Sequence, residues 1–398
     1  MGEEEARLLA GGVVHTGIPG TTLDESTRAA LIDMAPSGVI LFRRNYEDAG
    51  QLKALCADLA DLPRRPLISI DHEGGRVQRL GAPFTRFPPA RTIAALGGEN
   101  LVFETSQMMA LELRSHGIDI SFAPCLDVDS NPDNPVIGDR SFGPDPERVG
   151  AHVAAYVRGM QGEGIIACAK HFPGHGDTAT DSHVSEPVVT ADAATLADRE
   201  LVPFRAAIAA GTRAIMTSHI RVPALDPDAV ATFSPVILGE LLRDELGFDG
   251  VIVTDALDME GASGVIGVPA AAVAAVAAGA DLLCLGSKNS EREVEAIVDA
   301  LVCADRAGEL PSGRLRASAQ RCGALARWAA AQRSARPARG ASTSEPIVDV
   351  GRIASSFTLS ARAEQLLAER AWPVRWVRIE PEPNIAIGDT PLGPFFDG

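Results

Sequence analysis

At 398 residues the chain is longer than a small domain needs and suits one α/β barrel with something appended. Apolar residues make up 46% of it, enough for a sizeable core. The excess of 53 acidic over 36 basic side chains, a net charge of −17, gives a surface that repels phosphate backbones and so argues against a nucleic-acid partner. The six cysteines show no paired spacing, which makes a disulfide framework the weaker expectation. The acidic start of the chain lacks an apolar signal core. The most lipid-like run, residues 265–280, is interrupted by Pro269 and too short to cross a bilayer comfortably. A cytoplasmic protein without a membrane partner is expected.

Strand-like runs alternate with helix-like ones along the chain. A first strand is possible at 11–15, and clear ones follow at 38–42, 66–71, 118–124, 165–169, 212–217, 250–255 and 281–285. Between them, 52–59 and 105–115 read as helices, and a charged helix at 291–301 follows the last. Seven or eight such units fit a (β/α)8 TIM-type barrel, with parallel strands covered by helices. No Gly-x-Gly-x-x-Gly follows the first strand, so an open dinucleotide-binding sheet is disfavoured. The barrel is assigned to 1–328. From 329 to 345 the composition turns small, polar and basic, which reads as a linker. Residues 346–398, with a helix-like stretch at 360–370 and a strand-like one at 374–379, read as the incomplete start of a second α/β domain, too short to bury a core of its own.

The stretch 170–183, Lys-His-Phe-Pro-Gly-His-Gly-Asp-Thr-Ala-Thr-Asp-Ser-His, concentrates titratable groups directly after the strand at 165–169. Pro173, Gly174 and Gly176 break helix and strand alike, so these groups are expected on a loop at the C-terminal end of the strand, where barrels place their chemistry. His171 and His175 have the spacing of metal ligands on a helix face, but Pro173 and Gly174 remove the helix; neither metal nor cofactor is expected. A purely structural hydrogen-bond knot is the bland alternative. Against it stands the pair Asp181 and His183, because a carboxylate beside an imidazole sets its tautomer and raises its basicity. Other strands also end in polar residues: Asp71, then Asp127 and Asp129 with Arg140 further along, Ser218 with His219, and Asp255. Each alone reads as a cap or surface group, Asp255 included; their recurrence at the same end of successive strands suggests one site. Asp258 reads as a helix-start residue.

The run 170–183 resembles the signature of glycoside hydrolase family 3, in the bacterial β-N-acetylglucosaminidase (β-hexosaminidase) branch. The blocks at 37–42, 71–79, 216–219, 231–234 and 246–251 are similar to others of that family, and the likeness covers about residues 10–325. It implies an exo-acting, retaining hydrolase that removes terminal N-acetylglucosamine from peptidoglycan-derived or chitin-type oligosaccharides. In it Asp255 would be the nucleophile and His183 the acid/base, oriented by Asp181. Asp71, Arg79, Arg140, Lys170 and His171 would hold the sugar, and His175 and Asp177 would shape the loop. The partner implied is a small carbohydrate, handled by a single chain. Transfer to phosphate instead of water, a β-glucosidase and a non-catalytic sugar-binding barrel are the competing readings.

Overall fold

A computed structural model describes residues 2–178, 187–264, 266–286 and 290–336. Asp181, His183 and the segment beyond 336 lie outside the described residues, so the pairing of Asp181 with His183 and the second-domain assignment remain expectations.

All eight expected strands are present and run parallel. They are β1 (Val14–Gly17), β2 (Gly38–Leu41), β3 (Leu67–Ile70), β4 (Ile120–Ser121), β5 (Ile166–Phe172), β6 (Ala214–Thr217), β7 (Val251–Val253) and β8 (Leu283–Cys284). Each pairs with its neighbours in chain order, β1 pairs β8, and a bridge from Val253 to Leu282 closes the barrel between β7 and β8. Several outer helices start on an aspartate that accepts from a first-turn amide: Asp24 from Thr27 at 2.8 Å, Asp48 from Gln51 at 2.8 Å, Asp145 from Glu147 at 3.0 Å. Part of the acidic excess therefore satisfies exposed helix N-termini.

Strand alternation divides the core in two. Ile40, Leu67, Ile166, Cys168, Ala214, Met216, Val251 and Val253 fill the barrel interior. Val39, Ile68, Ala167, Ala169, Ile215 and Ile252 pack outward under the helices. The same parity runs on past the strand ends. Asp71 follows Leu67 and Ser69 by steps of two, Lys170 follows Ile166 and Cys168, and Asp255 follows Val251 and Val253, which aims all three at the top of the interior.

The bottom of the barrel is closed by the helix Arg314–Ala335, which places Cys322, Leu325 and Ala329 against the interior residues. The linker expected from 329 is corrected here, because residues 329–335 are the last turns of this helix and Ala329 is buried. A run rich in alanine and arginine is favourable to helix as well as to linker, and the barrel floor decides between them.

Candidate active site

Every described residue to which the family likeness gives a sugar-holding or nucleophilic role lines one cavity at the C-terminal end of the barrel: Asp71, Arg79, Arg140, Lys170, His171 and Asp255. Glu73, His175 and Asp258 line it too, with Phe42, Phe122 and Met216 among its apolar walls. This mixture of apolar surface and a few fixed polar groups suits a small polar ligand.

The histidine loop begins inside the sheet. Lys170, His171 and Phe172 belong to β5, which corrects the expectation that these polar groups sit on a loop. Lys170 pairs with Met216 and Phe172 with Thr217, so His171 is an extra residue in the β5–β6 register. Such a bulge re-aims side chains. Lys170 and His171 both reach the cavity, while Phe172 packs edge-on against Phe204 at 5.0 Å.

Asp127 anchors the turn beyond β5. Its Oδ2 accepts from His171 Nδ1 at 2.7 Å and from the Cys125 thiol at 3.2 Å, and its Oδ1 accepts from the His175 amide at 2.6 Å. Burial opposes the charge on Asp127, but His171 and the donated hydrogen bonds hold its carboxyl well below the usual range. With Nδ1 turned to Asp127, His171 presents its other nitrogen away from that carboxylate. His175 is buried, bonds Thr178 Oγ1 through Nδ1 at 2.7 Å, and is pushed down to about 4 by burial, so it is neutral at physiological pH. Asn134 donates to the carbonyls of His175 and Gly176 at 2.9 and 3.0 Å. Gly176 has to be glycine, since a Cβ there would lie 1.7 Å from the Val128 carbonyl oxygen.

A second network forms the polar wall. Lys170 Nζ donates to Asp71 at 3.0 Å and to Glu73 at 2.7 Å, Arg79 donates to Asp71 at 3.2 Å, and Arg140 is bidentate on Glu73 at 2.9 Å in both arms. Burial works against the Lys170 ammonium, yet the two carboxylates hold its pKa well above the usual lysine value. Asp71 is held low by Lys170 and Arg79 despite its own burial. Both ions are therefore charged across the physiological range.

Opposite them stands Asp255, half-buried, with Oδ1 accepting from the Ala256 amide at 2.8 Å. His219 supports this turn by bonding the Ala256 carbonyl through Nε2 at 3.1 Å and Thr232 through Nδ1 at 2.9 Å. Asp258 does not start a helix. The following turn, Glu260–Ser263, is preceded by Met259, while Asp258 accepts from the Gly286 amide at 2.9 Å and borders the cavity. Asn134 and Glu73 went unassigned in the sequence, and Asp127 entered only as one of several polar strand ends, because the partners His171 and His175, Arg140 and Lys170 lie tens of residues away and no local spacing marks such contacts.

Glu200 lies behind the loop. Oε1 accepts from Arg199 Nε at 2.7 Å, Oε2 is buried without a hydrogen bond among the described residues, and Gly174 packs directly against the side chain. Burial raises its carboxyl to about 7, with Arg199 opposing. An acid whose folded pKa lies above its ordinary 4.5 removes stability as pH rises from about 4.5 to about 7, where the fold must accept the charge. Glu200→Gln should therefore gain about 1–3 kcal/mol over the wild type at pH 8 and little at pH 4.5. Urea denaturation at the two pH values checks this, and an equal gain at both would refute it.

The family model for the glycosyl hydrolase family 3 N terminal domain matches residues 9–325. A beta-hexosaminidase of Thiobacillus denitrificans is 44% identical over 278 residues, which are 68% of this chain and 77% of that one. Among solved structures, the family 3 β-N-acetylglucosaminidase of Paenibacillus sp. str. FPU-7 superposes with a TM-score of 0.80 at 38% identity, over 88% of this chain and 67% of that one. NagZ from Neisseria gonorrhoeae, solved with N-trifluoroacetyl-D-glucosamine, has a TM-score of 0.65 at 34% identity, over 79% and 98% of the two chains.

Proposed function

The chain belongs to glycosyl hydrolase family 3 and is a glycoside hydrolase, and from that premise we propose that it is a retaining, exo-acting β-N-acetylglucosaminidase. The observation that carries the reading is the placement of Asp255. It lies at the end of β7, on the inward parity, bordering the same cavity as Asp71, Lys170 and His171. The names of the relatives support the choice of sugar.

In the proposed double displacement Asp255 attacks the anomeric carbon and forms a glycosyl ester while a general acid gives its proton to the leaving oxygen; the same group, now the conjugate base, takes a proton from the water that breaks the ester and releases Asp255. His183, oriented by Asp181, takes that role by resemblance. An imidazolium is attracted by the Asp255 carboxylate, whereas a second carboxylic acid would need a raised pKa to stay protonated. Asp71 and Lys170 bind ring hydroxyls from the polar wall, with His171 and Arg79 beside them. Arg140 acts from behind, since its guanidinium faces Glu73 and the Val136 carbonyl. The substrates proposed are peptidoglycan-derived or chitin-type oligosaccharides. The compartment proposed is the cytoplasm, with which six free cysteines, five of them buried, agree. No helix among the described residues is long and apolar enough to cross a membrane.

Aryl β-glycosides test the reading. N-acetylglucosaminide should be cleaved at least a hundredfold faster than glucoside, with free N-acetylglucosamine as the product whether or not phosphate is present. A glycosyl phosphate product would overturn hydrolysis, and equal rates on the two sugars would overturn the specificity. His183→Ala should slow substrates with poor leaving groups roughly 100-fold or more while sparing activated aryl ones. Equal losses on both would remove it as the acid.

A further inference from the structure

We propose that Glu73 is a positioning residue of this site, fixing Lys170 for the sugar; the inference rests on the reading of the polar wall as the sugar-binding surface. Glu73 sits on a short ribbon, His72–Gly74 paired with Val77–Gln78, that leaves the top of β3. The Ser121 hydroxyl donates to the His72 carbonyl at 3.0 Å and so ties the ribbon to β4. From there the Glu73 carboxylate, 8% exposed, joins two separate parts of the chain. It takes both arms of Arg140 from the long loop after β4, and the Lys170 ammonium from the end of β5.

The reason lies in the chemistry of lysine. An ammonium on a flexible four-carbon stem has three donors and no preferred direction of its own. With Asp71 on one side and Glu73 on the other, two donors are used and the third is directed by their geometry. Glu73 is in turn held by the rigid fork of Arg140, whose Nη1 is fixed on the Val136 carbonyl at 3.3 Å. If Glu73 loses its charge, Lys170 keeps only Asp71, and the buried Arg140 keeps no carboxylate partner from this wall. The charged groups around Lys170 are Asp71 from β3, Glu73 from the ribbon, Arg140 from the loop after β4, Arg79 behind Asp71, and Asp255 across the cavity from β7. His171 and His175 complete the surroundings.

The test compares the wild type with Glu73→Gln, Glu73→Asp and, as a control destabilised far from the cavity, Asp281→Asn. Binding of N-acetylglucosamine is measured by calorimetry at pH 7.5, with steady-state kinetics on an aryl N-acetylglucosaminide. Glu73→Gln should raise Kd and KM at least tenfold with kcat within threefold, because one of the two anions that fix the Lys170 ammonium is gone. The control should keep Kd and KM within threefold of the wild type. Glu73→Asp keeps the charge but shortens the reach, so affinity should fall tenfold; it decides the matter if Glu73→Gln does not fold. A folded Glu73→Gln with unchanged affinity, or with kcat reduced as far as affinity, would overturn the proposal, as would Glu73→Asp at wild-type affinity. A wild type that does not bind the sugar would instead sink the reading of the wall.

Discussion

Asp255→Asn is expected to lower turnover on the order of 10⁴-fold or more while melting at the wild-type temperature. The substitution keeps an oxygen where Oδ1 accepts from the Ala256 amide, and it leaves the bonds from His219 to the Ala256 carbonyl and to Thr232 untouched. None of these hydrogen bonds requires a charge at 255. The chemistry does, because an amide neither attacks an anomeric carbon nor departs as a stable leaving group. Asp255→Ala should behave alike in turnover, and the space it opens should let a small anion such as azide restore part of the activity and give a glycosyl azide. Steady-state rates on an aryl N-acetylglucosaminide, with thermal melts alongside, check both variants. Asp255→Asn within tenfold of the wild type would remove it as the nucleophile.

The second large effect concerns the floor of the barrel. Asp281 is completely buried just before β8. Its carboxylate pairs with Arg243 and accepts from the Ile252 amide at 3.1 Å, from Arg314 at 3.0 Å and from Arg321 at 3.4 Å. Arg314 and Arg321 belong to the C-terminal helix, whose far end is fastened by Arg333 to Asp119, ahead of β4. Trp328 adds a cation–π contact with Arg213 at 4.3 Å. Asp281→Ala would leave several arginines at this floor without their central anion and uncouple the helix that covers the interior. The expected cost is about 3–5 kcal/mol, the range for removing one member of a buried ion network. Chemical denaturation should show it, with KM for the aryl substrate unchanged well below the new Tm because the cavity lies at the other end of the strands. A loss below about 1 kcal/mol would show that the helix is held by its apolar face alone.

The sequence by itself determined the eight strands, their parallel order, and the end of the barrel at which the chemistry gathers. Those properties are written in local runs: apolar stretches of strand length, polar residues closing them, and a period of two that carries the aim of Asp71, Lys170 and Asp255 past each strand's end. The family was legible for a related reason, since its signature at 170–183 is continuous in the chain. The tertiary structure alone decided whatever depends on partners remote in sequence. It gave Asp127 its donors from His171 and His175, made Glu73 the bridge between Arg140 and Lys170, and turned Asp258 from a helix start into a partner of Gly286. It also turned residues 329–335 from linker into helix, because alanine and arginine suit either state and the barrel floor buries Ala329. In each case the sequence supplies a group able to take several partners, and the closed sheet selects one by bringing distant strand ends within hydrogen-bond range.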